Sequence, residues 1–241
     1  MSAVSESLAI EWQGETSYAD ALAQQHLAVA DRLAGRTRDR LLLFEHPKVI
    51  TLGRSTDRAH LRLGEARLRE LEIELFEVGR GGDITFHAPG QLVGYPIIDL
   101  DALGRRDVHQ HLRSLETALI EALDELGVPA QRLPGWTGVF VDRARSAERE
   151  GRERKIASIG VGVRRWVTFH GFALNVTIDL QGFDSIVPCG LHDVEMTSVA
   201  VELAREEGVA SLNPAWHSAL DARVREVVGR SMQVHLARDP G

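Results

Sequence analysis

The chain has almost no cysteine: Cys189 is the only one in 241 residues. No internal disulfide can form, and a thiolate zinc site is excluded unless two chains share it. What remains is a thiol that is either a small buried hydrophobe or a reactive nucleophile. No apolar run approaches the roughly 20 residues that a membrane span needs. Met1 to Ile10 has neither a basic n-region nor an apolar h-region, so a cytoplasmic protein is expected. A basic excess is missing too. The formal net charge is −7, and even the densest basic stretch, Arg143 to Lys155, holds Glu148, Glu150 and Glu153. Nucleic acid and membrane are therefore not expected partners.

Several chemical signatures are also absent. Gly79-Arg80-Gly81-Gly82 lacks the Gly-Lys-Ser/Thr ending of a phosphate-cradling loop, and no dinucleotide fingerprint opens a helix. There is no Gly-x-Ser-x-Gly elbow, and the ten histidines form no His-Glu-x-x-His pair. Serine and zinc hydrolase chemistry drop away, and no cofactor or metal is expected. A nucleophilic cysteine is the most economical source of covalent chemistry.

What is present suffices for a substantial core, since 44% of the residues are hydrophobic. Helical and strand patterns alternate along the chain, so the expected class is α/β (α+β), a single domain over residues 1–241. Glu15 to Leu33 reads as a helix with Tyr18, Leu22, Gln25, Val29 and Leu33 near one face. Leu41 to Phe44 reads as a buried strand with Val49 to Leu52 as its hairpin partner, and Gly64 to Leu71 as weakly helical. Strands are expected at Ile73–Val78 and Ile84–His87, then at Leu92–Leu100, where Pro96 suggests an edge or a bulge. Asp107 to Leu126 has the clearest apolar stripe and is stopped by Gly127. A strand at Gly138–Val141 follows. Asp142 to Arg154 is charged without periodicity and is expected to be an exposed hairpin tip or mobile loop. Lys155–Val163 and Trp166–Val176 read as antiparallel strands, Gly182–Leu191 as a loop holding the cysteine, and Val199–Glu206 and Pro214–Val228 as helices.

Four segments are rich in residues that serve no core: Arg80–Gln91, Lys155–Gly160, His170–Asn175 and Pro188–His192. Their glycines allow close backbone approach to a ligand, and backbone N–H groups near Gly81, Gly82 and Gly190 are candidates to hold an oxyanion. Small or aliphatic residues such as Ala157, Ile159 and Ala173 are candidates to line an apolar groove.

RGGDITFHAPGQLVGYPIIDL, KIASIGVGV, FHGFALNV and PCGL, in this order and spacing, resemble the signature segments of the octanoyltransferases of lipoate biosynthesis. They run from Arg80 to Leu191, nearly half the chain. The resemblance implies transfer of an octanoyl or lipoyl group from acyl carrier protein to a lysine of lipoyl domains, as in 2-oxoacid dehydrogenase E2 subunits and the glycine cleavage H protein. It implies a thioester on Cys189, with Lys155 lowering the thiol's pKa. Donor contacts would fall on Arg80, Gly81, Gly82, Asp83, Ile84, Thr85, Phe86 and His87, on Ser158, Ile159 and Gly160, and on Gly171, Phe172 and Ala173. The implied fold is similar to the catalytic domain of biotin and lipoate protein ligases, with mixed or antiparallel sheets flanked by helices. One departure is Glu153, where the family often carries glycine before the Arg-Lys pair.

Two alternatives stay open, an ATP-dependent ligase of the same fold and a noncatalytic module that binds carrier protein. Acyl carrier proteins and lipoyl domains are commonly acidic, so docking onto this acidic chain needs a local basic surface. The candidates are Arg143, Arg145, Arg149, Arg152 and Arg154, with Arg164 and Arg165 at the following turn.

Overall fold

In a computed structural model the chain is described over residues 8–148, 150–190, 194–207 and 214–237. The strands in chain order are β1 (Ala9–Glu15), β2 (Arg40–Glu45), β3 (Val49–Leu52), β4 (Glu74–Glu77), β5 (Ile84–His87), β6 (Gln91–Ile97), β7 (Ala130–Gln131), β8 (Val139–Val141), β9 (Glu153–Arg164), β10 (Val167–Asn175) and β11 (Val194–Met196). The helices are α1 (Tyr18–Leu33), α2 (Glu65–Glu70), α3 (Val108–Glu125), α4 (Val199–Glu207) and α5 (Pro214–Leu236).

An eight-stranded mixed sheet runs β1-β2-β6-β10-β9-β8-β7, with β11 alongside β9, and a three-stranded sheet runs β4-β3-β5. Helices α3 and α5 cover one face of the large sheet, where Leu115, Leu119, Leu123, Val224, Val228 and Met232 meet Leu41, Leu43, Leu92 and Leu174. Helix α1 covers the other face through Ala21, Ala28 and Val29, against Leu42, Phe44, Val93, Tyr95 and Ile97. The small sheet has its own core of Ile50, Leu52, Ile84 and Phe86, closed by Leu68 of α2 and by Phe183.

Local chemistry explains the helix ends. The Ser17 side chain accepts from the Asp20 N–H at 3.1 Å and starts α1, and Asp107 accepts from the Gln110 N–H at 3.1 Å and starts α3. Helix α1 begins at Tyr18 rather than at Glu15 because the residues before it form β1, parallel to β2. Helix α5 continues past Val228 to Leu236, since Met232 and Leu236 prolong its buried stripe.

Three expectations are corrected. Strand β3 is not the hairpin partner of β2: after His46-Pro47 the chain leaves the large sheet, and β3 pairs with β4 in parallel and β5 in antiparallel. Pro96 does not mark an edge, because β6 lies between β2 and β10. Its ring is accommodated by Gly171 of β10, where a Cβ would come within 2.4 Å of Pro96 Cδ, and the Pro96 carbonyl accepts from the Thr168 hydroxyl at 2.6 Å, while His170 turns to φ 54° and donates its N–H to Gln25 Oε1 at 2.8 Å.

The charged segment is the third correction. Arg154 is only 2% exposed and pairs through Nη2 with Glu202 Oε2 at 3.1 Å, and Arg143 is also buried, donating to the Arg152 carbonyl. Glu202 in turn accepts from the Thr197 hydroxyl at 2.5 Å and from Arg205 at 2.7 Å. This pair fastens the start of β9 to α4. Truncating Glu202 leaves the buried Arg154 with only the half-exposed Glu148, 3.4 Å away, as counterion, so Glu202→Ala is predicted to lower stability by about 3 kcal/mol in urea titration. The double variant Arg154→Met/Glu202→Ala should recover much of that loss; equal instability of the two variants would refute the ion-pair explanation.

Candidate active site

Lys155 is the third residue of β9 and is 2% exposed. Strand β8 flanks it on one side and β11 on the other, with Phe140 and Met196 as its register partners. A buried ammonium needs compensating partners. Lys155 Nζ donates to the Thr137 carbonyl at 3.1 Å and lies 5.5 Å from the centre of the Phe140 ring. Gly138, at φ 124°, makes room for it, because a Cβ there would come within 2.8 Å of Lys155 Cε and 2.6 Å of the Ala157 carbonyl oxygen.

The loop between β4 and β5 is organised by Arg80. Its guanidinium donates to the Thr51 carbonyl at 2.7 Å, the Thr51 hydroxyl at 2.8 Å and the Asp83 carbonyl at 2.6 Å. The Gly81 N–H donates to the Val161 carbonyl of β9 at 2.8 Å. At the end of this loop Asp83 Oδ2 lies 2.5 Å from His60 Nδ1.

The segment before the cysteine is strapped to the same neighbourhood. The Arg62 N–H donates to the Ser185 carbonyl at 3.0 Å, and the Val187 N–H to the His60 carbonyl at 2.7 Å. A 3-10 turn, Pro188–Gly190, follows and carries Cys189. Gly190 sits at φ 67°, and a Cβ there would meet His60 Cε1 at 2.9 Å and Asp83 Oδ2 at 3.0 Å. The Cys189 side chain, Leu191 and His192 lie outside what the structure describes.

These segments surround one cavity of about 430 Å³, within the usual range for small-ligand sites. Ser55, Gly135 and Thr137 form its exposed rim, and Tyr18, His87, Tyr95 and His170 its buried inner end. Val93, Ile159, Phe172 and Ala173 supply apolar walls, and Lys155, Asp83, His60 and Gly190 also line it.

The imidazoles and phenols of the inner end are uncharged at neutral pH, with the Arg80 guanidinium close enough to act on each of them. Burial, then neighbouring His46, lowers His87 to a pKa of about 3, and burial followed by the Arg80 charge lowers His170 to about 3. Burial raises Tyr18 to about 12 and Tyr95 well above its ordinary value. Behind Tyr95, burial lowers His46 to about 4. Its Nδ1–H donates to the Thr16 carbonyl at 2.8 Å, so Nε2 accepts from the Tyr95 hydroxyl at 2.8 Å. His87 Nδ1–H similarly donates to Gln91 Oε1 at 2.7 Å.

The catalytic-domain family of lipoyl protein ligases A and B matches residues 17–221. The chain belongs to this family. It is 50% identical over 196 residues to the octanoyltransferase of Solibacter usitatus, covering 80% of this chain and 84% of that protein. It is 44% identical over 212 residues to the octanoyltransferase of Acidobacterium capsulatum, covering 86% and 84%. A third octanoyltransferase, from Myxococcus xanthus, is 44% identical over 202 residues, which are 84% of this chain and 55% of that longer protein. These relatives place this member of the lipoyl protein ligase family among the acyltransferases.

Among solved structures, lipoate-protein ligase A bound with ATP superposes with a TM-score of 0.63 at 16% identity, over 97% of this chain and 87% of that one. The bipartite lipoate protein ligase of Thermoplasma acidophilum gives 0.58 at 16%, over 95% and 84%. At that identity the likeness concerns the fold, an α/β arrangement of sheets flanked by helices.

Within this member of the family, Arg80, Gly82, Asp83, Thr85, His87, Lys155, Ser158, Ile159, Gly160, Gly171, Phe172 and Ala173 all line the cavity. Ile84 and Phe86 do not; strand alternation turns them into the small sheet's core, and Gly81 is not among the lining residues. Ala157 packs into the core beneath α3 and α5 instead of the groove. The N–H groups of Gly81 and Gly190 already donate to Val161 and Val187, so neither is an oxyanion donor here. Tyr18, His60, Tyr95 and Trp136 line the cavity without having been expected there. Tyr18 and Gln25 had a signal, as polar residues on an otherwise apolar helix stripe; His60 had none.

The neutral histidines give a pH prediction. Their folded pKa values lie below the ordinary 6.5, so the unfolded chain takes up protons first and stability falls as pH drops from about 6.5 towards 4. His46→Gln should narrow the difference in unfolding free energy between pH 7 and pH 5 by about 2 kcal/mol. An unchanged difference in urea titrations would mean that His46 is not neutral in the fold.

Proposed function

We propose that this protein transfers an octanoyl or lipoyl group from acyl carrier protein to a specific lysine of a lipoyl domain, through a thioester on Cys189. The observation that carries this reading is the meeting, at one cavity whose inner imidazoles and phenols are uncharged, of the buried Lys155 ammonium and the turn that bears the cysteine.

Exchange between two thioesters is nearly isoenergetic, so an enzyme thioester is a suitable intermediate between carrier protein and amine. A free thiol has a pKa of about 8.5 and is mostly protonated at neutral pH. A nearby ammonium favours the thiolate, and this is the role of Lys155. The acyl chain occupies the cavity towards Tyr18 and Tyr95, where each buried methylene contributes roughly 0.8 kcal/mol. No charged imidazole opposes it there.

The acceptors are lipoyl domains of 2-oxoacid dehydrogenases and the glycine cleavage H protein, and the compartment is the cytoplasm. No helix among the described residues is long and apolar enough to cross a membrane. Exposed Arg152, Arg164 and Arg165 remain for docking acidic partners, whereas Arg143 and Arg154 are buried, Arg145 pairs with Asp124, and Arg149 lies outside the described residues. Transfer is favoured over ATP-dependent ligation because relatives at 44–50% identity are octanoyltransferases, while the ligase resemblance is at 16%.

Incubation with octanoyl acyl carrier protein should leave one octanoyl group on wild-type protein and none on Cys189→Ala, by intact mass. Transfer without an adduct in rapid-quench samples contradicts the thioester, and lipoyl-domain modification from free octanoate and ATP points to the ligase. Replacing Lys155 with Met should move the pH dependence of Cys189 alkylation to higher pH; an unchanged profile removes Lys155 from the activating role.

A further inference from the structure

We propose that the His60–Asp83 pair is the proton-transfer dyad for aminolysis of the acyl-enzyme, with His60 as general base and Asp83 as the residue that positions it. The proposal rests on the thioester reading above and adds a residue to it.

Geometry brings this pair to the cysteine turn. His60 and Asp83 both line the cavity, and their Nδ1 to Oδ2 separation is 2.5 Å. Gly190, the residue after Cys189, packs so closely on them that a Cβ would stand 2.9 Å from His60 Cε1 and 3.0 Å from Asp83 Oδ2. The His60 main chain is tied to the same turn, since its carbonyl accepts the Val187 N–H at 2.7 Å and Leu61 bridges Ile186. The backbone that carries the His60 ring is therefore tied to the segment leading into the cysteine turn.

The chemistry asks for such a group. When a substrate amine attacks the thioester, the new N–C bond forms, the C–S bond breaks, and one proton must leave nitrogen. If the neutral amine gives it to His60, the products are the amide, the Cys189 thiolate and an imidazolium. Charge balances: thiolate beside the Lys155 ammonium, imidazolium beside the Asp83 carboxylate. With Nδ1 committed to Asp83, proton exchange falls to Nε2, the arrangement in which a carboxylate fixes an imidazole's tautomer and supports its charged form. Other described imidazoles at the cavity are poorly suited, because burial makes His87 and His170 weak bases at about 3. Lys155 is assigned to the sulfur in both half-reactions, which leaves the amine's proton to His60.

Single-turnover kinetics separate the two half-reactions. The enzyme is acylated with an octanoyl-pantetheine thioester, then mixed with a lipoyl domain, and adduct and product are followed by intact mass. His60→Gln should take up the octanoyl group at near wild-type rate and pass it on about 100-fold more slowly, within the usual contribution of general base catalysis. Asp83→Asn should show a smaller deficit in the same step, and added imidazole should restore part of the rate to His60→Ala. Acylation also reports that each variant is folded at the site. Wild-type aminolysis by His60→Gln overturns the dyad while leaving the thioester intact. Equal slowing of both half-reactions overturns it too, since that is the mark of a residue that only holds the loop. Product formation by wild-type enzyme without any adduct overturns the thioester reading and the dyad with it.

Discussion

The site depends on one guanidinium. Arg80 reaches from the loop after β4 to Thr51 of β3 and to the Asp83 carbonyl, while Gly81 beside it bonds Val161 of β9. That loop is the seam between the small and large sheets, and the cavity opens along it. Arg80 is 9% exposed, so these bonds form where water competes little. Without them the Asp83 backbone would lose the anchor that presents its carboxylate to His60. The cysteine turn rests against the same loop through Gly190, so the seam and the chemistry share a foundation.

Legibility in the sequence tracked how local the cause was. Helix α3 could be read because its stripe, its Asp107 cap and the stop at Gly127, which takes φ 88°, all lie within the segment itself. Strands β9 and β10 were readable as a pair because the hairpin is tight, with Arg165 and Trp166 at φ 50° and 67° making the turn. Strands β7 and β11, two and three residues long, carry too little pattern to be seen alone. Arg154 was misread as solvated because its partner, Glu202, lies 48 positions further on. Charge pattern within a segment says nothing about a counterion that only folding supplies.

The site divides along the same line. Glycine-rich blocks stood out because their residues have no role in a core, and most of them do gather at the cavity. Within those blocks alternation along β5 sends Ile84 and Phe86 the other way, a fact no motif encodes. Tyr18 and Tyr95 come from α1 and β6, elements that read as packing surface. His60 comes from a three-residue 3-10 turn with no periodicity at all. His60 enters through tertiary contact alone, and only coordinates reveal it.

The floor of the cavity has a consequence for molecular measurement. Tyr95 cannot move aside without breaking its 2.8 Å hydrogen bond to His46, which is itself held by Thr16. Stranding such a buried polar group costs about 1–3 kcal/mol, whereas one more methylene returns only about 0.8 kcal/mol. On the proposed reading, an acyl chain would gain carbon by carbon until it touched the Tyr95 ring, and a longer one would have to offset the bond to His46 that it displaced.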